Sequence, residues 1–362
     1  MDAMTWVRGA RPQTLPLGLA PVLVGAALSW SWVMRAPMGG SQFHAPCPTF
    51  GGRPPYSPDG EQGICVTSWQ WFLAVTVLCA VVAVGLQVAA NYINDYADGI
   101  RGADNGRGGS EKGGDAPTRL VASGVDPRSV LLAAGIAAAV ACAAGLGVVA
   151  LTGNWWFVVL GAICLAAAWA YTGGRHPYGY AGLGEAAAFV FFGLVPTLGT
   201  QVALMDGIQF TGLVGATMCG CFAAAVMMVN NLRDVDADLA HGKRTLMTRL
   251  GSWHGTTLYR GAMMVGVMAM LLRTVPSLVA LPRDANRCHA MVVADARYAC
   301  LVRGLMPMAV LELAAAVFTV LAVLTGVRAA RALTRRRFAA ALPLTSKTAL
   351  LAALAVAGTA LF

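Results

Sequence analysis

Residues 69–104 read WQWFLAVTVLCAVVAVGLQVAANYINDYADGIRGAD. From Trp69 to Ala90 the run carries no charge. Roughly 20 apolar residues in a helix cross a hydrocarbon core about 30 Å thick, so this run is long enough to span a membrane. The polarity then changes abruptly, and Asn91, Asn94, Asp95, Asp98 and Asp104 follow within one short stretch. An amphipathic helix of a soluble protein carries its polar face along its whole length. Here the polar groups are stacked at one end.

The rest of the chain repeats the apolar theme. Its 362 residues are 57% hydrophobic and 12% charged, against about 25% charged in soluble domains. Further apolar runs lie at Leu15–Val33, Val130–Leu151, Trp155–Tyr171, Leu183–Leu204, Phe210–Val229, Thr257–Ala280, Met306–Val327 and Ala340–Phe362. The reading is an all-α polytopic membrane protein of about nine transmembrane helices. It forms one domain over residues 1–362, with residues 34–68 and 282–303 as extra outer loops. Met1–Pro16 holds no leader pattern with a cleavage site, so the first span is expected to stay.

The net charge of +9 does not point to nucleic acid, because the positive residues alternate between loops. With the N-terminus in the cytoplasm, only Arg35, Arg53, Arg273, Arg283, Arg287, Arg297 and Arg303 of the 26 Lys and Arg fall on the outer side. That bias is the positive-inside pattern. Trp30, Trp32, Trp69, Trp71, Trp155 and Trp156 collect at the outer span ends, as an interfacial aromatic belt does. Cys79, Cys142, Cys164, Cys219 and Cys221 lie within spans and read as small buried apolar residues. Cys47 with Cys65, and Cys288 with Cys300, share outer loops in which disulfides are possible if that side is oxidising.

The chain has only 17 acidic residues. Six gather in two inside loops: Asp95, Asp98 and Asp104 after the second span, and Asp234, Asp236 and Asp238 after the sixth, in Asn230-Asn231-Leu232-Arg233-Asp234-Val235-Asp236-Ala237-Asp238. Asn94 and Asp98 stand four apart, as do Asp234 and Asp238; if the helices continue past the membrane edge, each pair shares a face. Like charges at this spacing repel, and a hard cation such as Mg²⁺ neutralises them while bridging carboxylates to phosphate oxygens. Lys112, Arg119, Arg233, Lys243 and Arg244 are placed to meet the same phosphates. The alternative is a set of solvated loop acids at helix ends, which one cluster alone would leave equally open.

At these residues the chain resembles the UbiA superfamily of membrane prenyltransferases. Asn94, Asp95 and Asp98 resemble its NDxxDxxxD motif, with Gly102 in place of the last Asp and Asp104 following; Asp234 and Asp238 resemble its DxxxD motif. The segment Tyr171–Glu185, the Arg11–Pro16 segment, Ala116-Pro117-Thr118-Arg119 and Asn230–Asp234 are similar to the branch acting on 1,4-dihydroxy-2-naphthoate. The resemblance implies a UbiA-like helical bundle. It also implies transfer of a polyprenyl chain from polyprenyl diphosphate to dihydroxynaphthoate with decarboxylation, giving demethylmenaquinone.

It further implies Mg²⁺ held by Asn94, Asp98, Asp234 and Asp238, chemistry dependent on Asp95, Asp98, Asp234 and Asp238, and substrate contacts from Arg11, Lys112, Arg119, Tyr171, Arg175, Tyr178, Lys243 and Arg244. Arg175 or His176 is the expected anchor of the acceptor carboxylate, and Tyr92, Tyr96, Tyr171, Tyr178 and Tyr180 are candidates to stabilise an allylic cation. The lipid bilayer of a bacterial inner membrane is the expected setting, with the site on the cytoplasmic side. Two other readings stay open: a relative using a 4-hydroxybenzoate-like acceptor, and a secondary transporter, which would place its charges near mid-membrane. Glu185 at the start of a span and Glu312 inside one are costly placements.

Overall fold

The computed structural model describes residues 3–34, 69–102, 119–174, 177–240, 242–289 and 306–360, and all regular structure among them is helical. The helices are α1 (Ala3–Gly9), α2 (Pro16–Met34), α3 (Trp69–Ile100), α4 (Pro127–Thr152), α5 (Trp156–Thr172), α6 (Gly184–Phe189), α7 (Val195–Met205), α8 (Phe210–Arg233), α9 (Val235–Ala240), α10 (Leu246–His289), α11 (Met306–Thr334) and α12 (Phe338–Ala360). Among the described residues, eight helical segments are long and apolar enough to cross a membrane, and α5 is a ninth, shorter apolar helix. Asp104, Lys112, Arg175, His176, Cys47, Cys65 and Cys300 lie outside the described residues, as does the side chain of Cys288.

Local chemistry fixes the ends. Asp126 caps α4, its Oδ2 accepting from the Ser129 amide at 3.2 Å with Pro127 at the first helical position. Gly153 ends the same helix in the left-handed region, at φ 74°, where a side chain would be strained. The faces then sort by solvent. Leu132, Ile136 and Val140 on α4, and Val310, Leu313, Val317 and Leu324 on α11, recur at helical spacing and stay exposed, the outward face of a bundle in lipid. Ala, Gly and other small residues turn inward: Ala341, Ala349, Ala352, Ala353 and Val356 of α12 pack into a core shared with α2, α8 and α10.

Several expectations shift. The span read as Leu183–Leu204 is not one regular helix: α6 and α7 are joined by a π-helical turn, Val190–Leu194, ahead of Pro196. Proline supplies no amide and cannot continue a regular ladder, and the wider turn absorbs the misfit. It also lets the segment press on α8, since a Cβ on Gly193 would lie 2.2 Å from Gly220 Cα. The loop expected from residue 282 begins later, because α10 continues to His289. Of the five span cysteines, Cys219 and Cys221 are buried as expected, whereas Cys79, Cys142 and Cys164 line a cavity.

Glu312 is buried on α11 and feels the charge of Arg273 on α10. Arg273 donates to Thr359 O at 3.1 Å and to Ser277 Oγ at 2.9 Å. The bond to Thr359 ties α10 to the end of α12.

Candidate active site

At about 1.5 Å per residue, the 32 residues of α3 make a helix of roughly 48 Å, longer than a hydrocarbon core. Its last turns therefore carry polar residues without placing them in lipid. Asn94 and Asp98, one turn apart, both line a cavity of about 540 Å³. Asp95 lies about 100° around the helix and faces elsewhere: it is buried, and its Oδ2 accepts the Leu120 amide at 2.7 Å. It holds the segment leading into α4 and is not among the cavity-lining residues.

The second acidic group departs from a continuous helix. α8 ends at Arg233, Asp234 takes φ −97° and ψ 6°, and α9 begins at Val235. The turn is nevertheless kept, because the Asp238 amide donates to Asp234 O at 2.8 Å. Asp234 and Asp238 both line the cavity that Asn94 and Asp98 line, so the two acidic helix ends meet at one mouth.

Cations sit between them. Lys243 Nζ lies 4.0 Å from Asp98 Oδ2 and 3.8 Å from Asp238 Oδ1. Arg233 grips Asp234 with two bonds of 2.9 Å, and Arg119 approaches Asp234 at 3.9 Å. Tyr180 donates its hydroxyl to Asp98 Oδ1 at 2.7 Å. Its ring lies 5.0 Å from Lys243 Nζ and 5.2 Å from the Arg101 guanidinium. Burial, and then the Asp98 charge, push the Tyr180 phenol well above its ordinary range, so it stays a donor.

Arg11 also lines this end, in a left-handed backbone at φ 57°. Its Nε and one terminal nitrogen are buried without a hydrogen-bond partner. Loss of water, and then the neighbouring Arg119, lower its pKa to about 10. Nearby anionic charge relieves both effects.

Other expected residues divide. Tyr171 and Tyr178 line the cavity, their rings edge to face at 5.5 Å. Tyr92 instead packs on Trp6 and donates to its carbonyl at 2.9 Å, and neither Tyr92 nor Tyr96 lines the cavity. Arg244 is exposed and joins the site through its backbone, its amide donating to Tyr180 O at 3.2 Å.

Residues not singled out from sequence also contribute. Phe191, Phe192 and Pro196 of the π-turn region, with Phe157 and Gly161 of α5, wall the apolar length of the cavity. Buried Gln87 lines it and donates to Thr14 O at 2.6 Å. A Gln within an uncharged spanning run was the available signal. Glu185, already notable in the sequence as an acid at a span start, lies buried in the first turn of α6 and accepts from Asn231 Nδ2 at 2.8 Å.

The donor set suits a hard cation. Asn94, Asp98, Asp234 and Asp238 offer oxygens around one mouth, and Asn94 Oδ1 is buried with no hydrogen-bond partner. Among the described residues, no three acidic, His or Cys side chains converge as a complete metal cage. Mg²⁺ does not require one, since it takes one or two carboxylates and completes its shell with water and substrate phosphate. The residues fit that ion.

The chain is similar to known proteins in sequence and in fold. The UbiA prenyltransferase family pattern matches residues 63–293. The 1,4-dihydroxy-2-naphthoate octaprenyltransferase of Mycobacterium tuberculosis (strain ATCC 25618 / H37Rv) is 40% identical over 269 residues, covering 74% of this chain and 77% of that protein. The protein of the same name in Escherichia coli (strain K12) is 31% identical over 274 residues, 74% of each chain. A UbiA homolog from Aeropyrum pernix K1 shares the fold, with a TM-score of 0.57 at 15% identity over 96% of this chain and 98% of that one.

Proposed function

The chain belongs to the UbiA prenyltransferase family, and from that premise we propose that it transfers a polyprenyl chain from polyprenyl diphosphate to 1,4-dihydroxy-2-naphthoate inside a bacterial plasma membrane. The donor C1–O bond breaks, a bond from C1 to a ring carbon forms, and the acceptor carboxylate leaves as carbon dioxide. Diphosphate is the other product, and no net proton is required. The observation that carries the proposal is the meeting of Asp98 and Asp238 at Lys243, at the mouth of an apolar cavity.

Mg²⁺ would be held by Asn94 and Asp98 from one side and by Asp234 and Asp238 from the other; when bound, it supplies neutralising charge to the departing diphosphate. Arg11, Arg119, Arg233 and Lys243 surround the same oxygens and orient the head. Arg11 contributes most by contrast, because its buried nitrogens find an anionic partner only when donor is present. The prenyl tail lies along Phe157, Gly161, Phe191 and Phe192. Tyr171 and Tyr178 present ring faces where allylic positive charge develops, and the apolar walls exclude the water that would otherwise trap it.

The bias of Lys and Arg supports a site on the cytoplasmic side. The test is mass spectrometry of products formed by the purified protein, with Mg²⁺ and a mixture of prenyl diphosphates, offered dihydroxynaphthoate and 4-hydroxybenzoate in parallel. Prenylated, decarboxylated naphthoquinol is the expected product. Conversion of 4-hydroxybenzoate alone would contradict the choice of acceptor.

A further inference from the structure

Glu185 and Asn231 expose only 4% and 7% of their surface, and they meet through one hydrogen bond, Asn231 Nδ2 to Glu185 Oε1 at 2.8 Å. The other carboxylate oxygen, Oε2, is buried with no hydrogen-bond partner. Such a burial costs stability and is retained mainly where it serves a site. None of the diphosphate contacts named above uses this pair.

The pair fixes an amide. The Asn231 NH₂ is turned toward Glu185, its Nδ2 donating to Oε1. That leaves Asn231 Oδ1 as the polar atom this cavity-lining side chain has to offer. A carbonyl oxygen repels diphosphate oxygens and has nothing to gain from a hydrocarbon tail. The occupant it suits is a hydroxyl donor. The surroundings suit an aromatic one: Met227, one turn earlier on α8, receives the Tyr171 hydroxyl at 3.4 Å, and Tyr171, Met227 and Gly184 all line the cavity.

Resting on the reaction proposed above, we propose that Asn231 accepts a hydrogen bond from a ring hydroxyl of the aromatic acceptor, and that Glu185 is a positioning residue that sets the Asn231 amide for it. The bond fixes which ring carbon faces the donor C1. It also leaves electron density on the hydroxyl oxygen, which activates the ring toward an electrophile.

The experiment measures acceptor affinity of the full-length protein in nanodiscs, with Mg²⁺ and a non-reacting prenyl thiolodiphosphate present. Ligands are 1,4-dihydroxy-2-naphthoate and its two monohydroxy analogues, 1-hydroxy-2-naphthoate and 4-hydroxy-2-naphthoate. Wild type should bind the dihydroxy compound about tenfold more tightly than one of the two analogues, the value of one hydrogen bond in a dry site. Glu185→Leu roughly keeps the volume but removes the oxygen that accepts from Asn231 Nδ2, so the amide is no longer held and that preference falls to below twofold. Asn231→Ala removes it too, and affinity for the thiolodiphosphate stays within twofold in both variants. Variants that keep the preference, or that lose donor and acceptor affinity by the same factor, overturn the inference. A wild type that fails to prenylate dihydroxynaphthoate overturns the reaction it rests on, which the product analysis reports separately.

Discussion

Lys243 Nζ lies 4.0 Å from Asp98 Oδ2, although the two residues come from acidic segments four spans apart in the chain. The same ammonium lies 3.8 Å from Asp238 Oδ1. One cation thus joins the end of α3 to α9 across the mouth of the cavity. Lys243→Ala should lower kcat/KM for the prenyl diphosphate by about tenfold to a hundredfold, the range of a hydrogen bond to a charged group. The KM for the acceptor should change little. Steady-state kinetics with each substrate varied in turn checks this, and an unchanged response to donor would remove Lys243 from the site.

Asp98→Ala and Asp234→Ala should each reduce turnover by at least about a hundredfold, the usual cost of disturbing a metal site. Both proteins should still reach the membrane in normal amounts, since both residues sit at the cavity mouth. Chelation of Mg²⁺ should silence wild type, and readdition should restore it. A variant with wild-type rates in saturating Mg²⁺ would exclude that carboxylate as a ligand.

Tyr180 and Tyr178 make an internal control. The Tyr180 hydroxyl goes to Asp98, whereas the Tyr178 hydroxyl goes to Ala167 O at 2.9 Å. Tyr180→Phe should raise the Mg²⁺ concentration for half-maximal activity about tenfold, and Tyr178→Phe should leave it unchanged. The Tyr180 pKa is raised, so its hydroxyl remains protonated through neutral and mildly alkaline pH. The contrast between the two variants should therefore hold from pH 6.5 to about 9. Equal Mg²⁺ titrations for the two variants would contradict the role given to the bond.

Gly161 lines the apolar stretch of the cavity, and a Cβ placed there meets nothing within 4 Å. Gly161→Leu should therefore fold and shorten the space for the tail. With a mixture of prenyl diphosphates, the product distribution should move toward shorter chains, read by mass spectrometry. An unchanged distribution would mean that the tail leaves by another route.

The helical class, the spans and both acidic motifs were legible in the sequence because hydropathy and the placement of scarce charges leave little choice in a membrane. Facing was less legible. Asn94, Asp95 and Asp98 read as one motif, yet the helical rotation sends Asp95 to the Leu120 amide and leaves the other two at the cavity. The five tyrosines looked equivalent for the same reason, and only the tertiary packing separates Tyr171 and Tyr178 from Tyr92. Phe191 and Phe192 were hidden in a run that reads as an ordinary span. Their position depends on the π-turn ahead of Pro196, and apolar periodicity does not reveal a turn of that kind. Glu185 was visible as an acid at a span start, but its partner Asn231 comes from a different helix.

The most direct measurement is calorimetric titration of geranyl diphosphate into the solubilised protein, with and without Mg²⁺, for wild type, Asp98→Asn, Asp238→Asn and the double variant. If both helix ends grip one head group, each single change removes most of the Mg²⁺-dependent affinity, and the double variant binds no more weakly than the worse single by more than about threefold. Losses that simply multiply, or a single variant with wild-type affinity, would show that the two ends act on separate ligands.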